Sequence, residues 1–290
     1  MRRARSSERG AALFAVLAML ALLSGLATIG LSRLKAATDD ARDSAELAEA
    51  QLAALSATAL ARTLVAQVKA QANRDISIIQ RPITLPVGTA MVTFRFRDAG
   101  TCFNLNGIGD GRQLASLLAL SGIPRLDAER IAAATRARLG TRGLLLADPS
   151  EWQAMVGLPP EQYARVSRHL CTLPTREASS FNVNALAEAD MPLLLSMGIA
   201  RESAARFTAN RPEGGFRSMN EAWGEAQDDG TRDSGPGNRI GTTSRWYALD
   251  IEVETETYAI GRRILLDSGR QPAEVAMSEW VPPRRRAPAT

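Results

Sequence analysis

From Ala11 to Leu31 the chain runs for 21 residues without a charge, and the next charged side chain is Arg33. Coiled as a helix at ~1.5 Å per residue, that run reaches about 30 Å, the thickness of a bilayer's hydrocarbon core. Ahead of it Arg2, Arg3, Arg5 and Arg9 outweigh Glu8, a basic excess that holds the leader on the cytoplasmic side and sends the rest of the chain outward. An ordinary secretory signal has an apolar core of only roughly 7 to 15 residues before its cleavage site. Here the helical pattern continues through Thr38-Asp39-Asp40-Ala41, and the first proline is Pro82. Ala41, Ala45, Ala48, Leu52, Leu55 and Ala59 alternate steps of four and three, the seam of a helix lying on a partner surface. The sequence therefore predicts one helix from 11 to about 73, ~90 Å long, apolar all round at first and amphipathic after. A plain signal anchor is the alternative reading of the apolar run.

Composition narrows the function classes. Once the leader and long helix are set aside, roughly 210 of the 290 residues remain, enough for one or two units with their own cores. The formal charge is +4, but the excess lies largely in the leader and in Arg284-Arg285-Arg286. A basic end of this kind reads as solvated rather than as a nucleic-acid site. Cys102, Cys171 and the single histidine His169 lack the number and spacing of a zinc site. In an exported domain the even pair reads as a disulfide closing a loop of about 70 residues; two separate buried thiols are the alternative. With one histidine, no phosphate loop and no paired metal motif, nothing supports catalysis, and the chain reads as non-enzymatic.

The middle of the chain is a repeat. Asp75 to Arg97 is β-like: a run containing Ile76, Ile78 and Ile79, broken by Pro82 and Pro86, then the alternating Ala90 to Arg97. Next, Cys102-Phe103-Asn104-Leu105-Asn106 and, 78 residues on, Ser180-Phe181-Asn182-Val183-Asn184 are close copies. Each leads to a leucine-rich segment, a Ser/Met-Gly-Ile turn and an alanine-rich helix (127–139 and 202–210). The Asn is suited to cap and the Gly to end the first helix in positive φ. Such helix-hairpin-helix units resemble modules that hold DNA phosphates on hairpin amides. The second Gly of the usual phosphate-binding hairpin is here Pro124 or Ala200, and proline has no N–H to donate, so the structural role is the stronger reading. A membrane-anchored DNA-binding or DNA-uptake protein is the rival. Trp152 and Trp223 follow matching turns and read as core, with exposed partner anchors as the other option. Ser244–Thr257, Tyr258–Leu266 and Glu274–Trp280 return to strand-like alternation.

A short basic leader ending in Gly10, then an aliphatic helix with Phe14 near its start, resembles the type IV prepilin and pseudopilin family. The resemblance implies cleavage after Gly10 by a prepilin peptidase and methylation of Ala11. Most members carry Glu at the fifth mature position, where it is thought to neutralise the N-terminus of the subunit above; this chain has Ala15, and a lone charge in hydrocarbon is costly. With the ordered conjunction of Phe-Asn-Leu-Asn, Cys171-Thr172-Leu173-Pro174, Phe-Asn-Val-Asn and Arg-Pro-Glu-Gly-Gly-Phe, the chain is similar to the minor pseudopilin K family of the type II secretion system (general secretion pathway protein K). That likeness implies a tip position determined by Ala15, partnership with other minor pseudopilins, and a single-pass inner-membrane anchor with the globular part in the periplasm. Nucleic acid is not an expected partner.

Many members hold calcium on aspartates inside the first helical half, where this chain has the basic segment Thr135 to Gly143. No resident cofactor is expected, and the remaining candidate calcium loop is Asp228, Asp229 and Asp233, in a segment that reads first as a flexible connection. The fold expected is α+β: a basic leader (1–10), the long helix (11–75), a pilin-like antiparallel sheet (76–101 and 241–282), an all-helical insertion of two hairpin units (102–240) and a basic disordered tail (283–290).

Overall fold

The structure is a computed structural model that describes residues 5–72, 81–140, 143–223 and 239–286. A single helix, α1 (Arg5–Ala72), forms the spine. It contains no proline and is rich in alanine and leucine, the residues that lose least on entering a helix. Its second half lies on a five-stranded antiparallel sheet of order β1-β2-β7-β8-β9. Here β1 is Ile83–Val87, β2 Ala90–Asp98, β7 Trp246–Glu254, β8 Tyr258–Asp267 and β9 Glu274–Arg285.

The face of α1 that meets the sheet is Ala50, Ala53, Ala54, Ala57, Ala61, Val65 and Val68, all buried. These small side chains let the helix sit close to Val92, Phe94, Phe96, Tyr247, Leu249, Ile251, Val253, Ile260 and Ile264 from the sheet. The Ala41, Ala45, Ala48, Leu52, Leu55, Ala59 seam is a different face. At ~100° per residue it lies roughly 180° around the helix from the buried stripe, and it is exposed throughout.

Two expectations about the ends of the sheet meet different outcomes. The run containing Ile76, Ile78 and Ile79, expected as the first strand of the pair, lies outside the described residues; the strand observed beside β2 is Ile83–Val87, with Pro86 inside it. Proline is tolerated there because β1 is an edge strand with no further ladder to serve. Second, Arg284 and Arg285 do not belong to a disordered tail: they pair with Ala259 and Tyr258 as the end of β9. Arg285 reaches Asp43 on α1, while Arg284 and Arg286 face Glu252 and Glu254 at 3.6 and 3.5 Å. Alternation alone did not extend the strand past Pro282, because two prolines interrupt the pattern; carboxylates across the ladder hold the arginines in it.

Between β2 and β7 the chain leaves the sheet and builds a second core. The first unit holds β3 (Phe103–Asn104), α2 (Arg112–Leu120), α3 (Arg125–Leu139), α4 (Pro149–Val156), α5 (Pro160–Val166) and β4 (Leu170–Cys171). The second holds β5 (Phe181–Asn182), α6 (Met191–Ser196), α7 (Arg201–Ala209), α8 (Met219–Trp223) and β6 (Ile240–Gly241). In each unit a two-residue strand at the start pairs in parallel with one at the end, β3 with β4 and β5 with β6.

Candidate assembly interface

From Leu13 to Leu34 the first part of α1 is exposed along its whole length among the described residues. Its most apolar 18-residue window has a mean hydropathy of 2.3 and none of it is buried, so among the described residues this is a helix long and apolar enough to cross a membrane. Phe14 is 74% exposed, and Ala15 stands open beside it. Gly10 and Ala11 lie on the helical backbone near its start. Leu52 and Leu55, at 64% and 46% exposure, continue an uncovered apolar surface from the span up to the level of the sheet. An aliphatic stripe of this length in water needs a covering partner.

The globular part is braced by repeated asparagine clamps. In the first unit Asn106 Nδ2 donates to the carbonyls of Leu146 and Leu173, each at 3.0 Å, and its Oδ1 accepts from Leu146 N–H at 2.8 Å. In the second, Asn184 Nδ2 donates to Phe216 O and Thr242 O at 2.9 and 3.1 Å, and its Oδ1 accepts from Phe216 N–H at 2.7 Å. Asn104 and Asn182 each accept the N–H two residues on. The repeated Phe-Asn-x-Asn thus ties the two ends of each unit together, a role larger than the helix cap expected from sequence. Cys102 and Cys171 are joined by a disulfide with Cα atoms 5.8 Å apart, a covalent closure of the first unit.

The hairpins themselves are poor anion sites. Gly122 and Gly198 take positive φ of 83° and 87°, and their amides, with those of Ile123 and Ile199, donate back to carbonyls of the preceding helix. These amides are spent capping α2 and α6, and Pro124 has none to offer. Trp152 is fully buried with Nε1 donating to Thr135 Oγ1 at 2.8 Å. Trp223 packs edge-on against Phe207, ring centres 4.8 Å apart. Trp152 takes its expected place in the core, and Trp223 lies half-buried against that core. His169 is buried, 3.6 Å from Asp190 across the two units. The calcium candidates Asp228, Asp229 and Asp233 lie outside the described residues, and among the described residues no group of three or more metal-type ligands comes together.

Two junctions were not read from the sequence. Asp98 at the end of β2 is half-buried, and the water it loses pushes its carboxyl pKa up against the opposing effect of hydrogen bonds from Asn182, Thr101 and Gly100; it fastens the second unit to the sheet. Arg245 grips Asp267 through two hydrogen bonds of 2.7 and 2.6 Å and reaches Glu177 in the connection between units at 2.5 Å. The register of β7 against β8 brings Asp267 beside Arg245, whereas Glu177, 68 residues away in the connection between units, has no signal in the sequence.

A free apolar helical stem, continuous with a rod laid on an antiparallel sheet, with a helical insertion between the sheet's early and late strands, is a pilin-like architecture. The comparisons agree. Type II secretion system protein K of Pectobacterium carotovorum subsp. carotovorum is 25% identical over 328 aligned positions, covering 95% of this chain and 97% of that protein. Type II secretion system protein K of Dickeya chrysanthemi is 29% identical over 129 positions, 43% of this chain and 36% of that one. The crystal structure of the GspK-GspI-GspJ complex from the enterotoxigenic Escherichia coli type 2 secretion system shares the fold, with a TM-score of 0.50 at 18% identity, covering 81% of this chain and 98% of the matched chain. No protein-family model matches the chain. The resemblance to protein K of the type II secretion system, read from the leader and the two Phe-Asn motifs, is borne out by these relatives.

Proposed function

We propose that the chain is a minor pseudopilin of a type II protein secretion system, with no catalysis of its own, that initiates and caps a pseudopilus. The observation that carries this reading is the stem: an apolar helical span left uncovered by the described residues, running unbroken into a rod with an exposed apolar stripe along it. In this reading the span sits in the inner membrane, the globular part lies in the periplasm, and a prepilin peptidase cuts after Gly10 and methylates Ala11. The stem packs against those of other minor pseudopilins, driven by close helix contact in the bilayer and aliphatic burial above it. Ala15 leaves this subunit without a carboxylate to neutralise an N-terminus above it, which suits a subunit that has none above.

Mass spectrometry of the mature N-terminus tests the processing step; N-methyl-Ala11 is expected, and cleavage further in, or an intact leader, would overturn it. Ala15→Glu tests the position: the variant is expected to appear along the shaft of filaments as well as at one end, where the native chain is confined. Native chain distributed along the shaft would defeat the capping role.

A further inference from the structure

The sheet is wider than the helix that covers it. α1 packs chiefly on β7 and β8, and the part of β9 from Ser278 to Pro283 stays largely exposed. Between this overhang and α1 lies a notch of about 330 Å³, with Ile260 on its floor, Gln51 on the helix side and Trp280, Pro282 and Pro283 on the strand side. Trp280 is 43% exposed, although large aromatics at solvent cost most when left uncovered.

Arg262 adjoins this notch through Trp280, its partner across the β8–β9 ladder. Its guanidinium carbon lies 4.9 Å from the indole centre. Nη1 donates to Thr58 Oγ1 on α1 at 3.1 Å, and Nη2 to Ser278 Oγ at 3.4 Å. Its Nε is buried and has no acceptor among the described residues. Neighbouring Arg263, Arg284, Arg285 and Arg286 all face carboxylates; among the described residues Arg262 is held by two hydroxyls and a ring. A guanidinium held in place with no carboxylate among the described residues is a charge that an incoming carboxylate would pair.

Geometry selects the occupant. Packed helices lie ~8–10 Å apart, and two strand spacings come to ~9.5 Å, so a helix laid alongside α1 would rest over β9. Gln51, the helix residue at the notch, is followed by the exposed Leu52 and, one turn on, Leu55, on a helix that leads down into the membrane span, so an occupant following α1 must itself become apolar at bilayer depth. A second copy presenting its Ala41–Ala59 stripe would bring no carboxylate on that stripe and leave the Arg262 charge unpaired.

We infer that the α1–β9 notch receives the amphipathic helix of a different pilin-like subunit, which sets an Asp or Glu against Arg262 and aliphatic side chains against Trp280. This rests on the function proposed above and specifies which face takes the neighbour. The test uses the full chain in membranes with the other minor pseudopilins of its system. Photo-crosslinking side chains are placed at Ser278 and, separately, at Leu52. Position 278 is expected to capture a different subunit through a helical segment containing an acidic residue. Arg262→Glu should lower that yield at least about tenfold, Trp280→Ala should lower it in the same direction without adding charge, and Arg262→Lys should keep most of it. Capture of a second copy, capture of a partner's β-strand on the open edge of β9, or a yield indifferent to both Arg262→Glu and Trp280→Ala would overturn the inference. If position 278 is silent while Leu52 captures a different subunit, the notch fails and the assembly reading stands; if both are silent, both fail.

Discussion

At the scale of single residues, the globular part depends on side chains that stand in for backbone. Asn184 satisfies Phe216 at both its N–H and C=O, and Thr242 at its C=O. Asn184→Ala would strand these buried groups, and we expect it to lower stability by roughly 2–4 kcal/mol, read as a shift of the urea midpoint of the detergent-solubilised chain; a loss below ~0.5 kcal/mol, ordinary for a surface change, would contradict the clamp. Asp267 gives a pH dependence of definite sign. The Arg245 guanidinium, helped by the Gly269 N–H and opposed by burial, holds its carboxyl below the usual carboxylate range. A folded-state value below the unfolded one, ~3.9, means that the pair's stabilisation is complete above that value and is lost as pH falls through the folded one. Stability of the native chain should therefore drop on acidification below about pH 4, and Asp267→Asn should make the drop shallower; an equally steep drop in the variant would assign it to other carboxylates.

Elements were legible where one physical cause dominates. The stem could be read because no proline interrupts it and no charge enters its span, and the two hairpin units could be read because Phe-Asn-x-Asn recurs at a fixed offset. Which face of α1 meets the sheet could not, because Ala50, Ala54, Ala57, Ala61 and Ala41, Ala45, Ala48, Leu52, Leu55, Ala59 share the same three-and-four spacing. Periodicity finds stripes and leaves their partners open. The structure assigns the smaller side chains to the sheet and leaves the leucines outside. Substitutions should separate the two faces: Ala57→Leu overfills the helix–sheet contact and should cost about 1–3 kcal/mol in a denaturant melt. Leu52→Ala should leave the melt within ~0.5 kcal/mol while weakening association with neighbouring subunits. Equal effects of the two on stability would mean that the faces are not distinct. The Arg262–Trp280 notch had no sequence signal, because it exists only once β8 and β9 are in register.

For the molecule as a whole, the disulfide spans 69 residues of sequence, nearly the whole first unit. In the chain-entropy account a loop of that length contributes about 4 kcal/mol. Replacing both cysteines by serine should lower the stability of the full chain by a few kcal/mol, with the first unit opening before the sheet in hydrogen exchange; uniform loss of protection would show that the two cores unfold together. The path into and out of the helical insertion has a consequence of its own. β2 ends at Asp98, paired with Tyr247 in β7, and the Ala99 N–H donates to Trp246 O at 3.0 Å, so departure and return occur on neighbouring strands at one edge of the ladder. A short hairpin could bridge that gap. The head is thus a detachable cargo on a compact sheet-and-rod chassis, one that a lineage could enlarge, swap or shed without re-threading the rest.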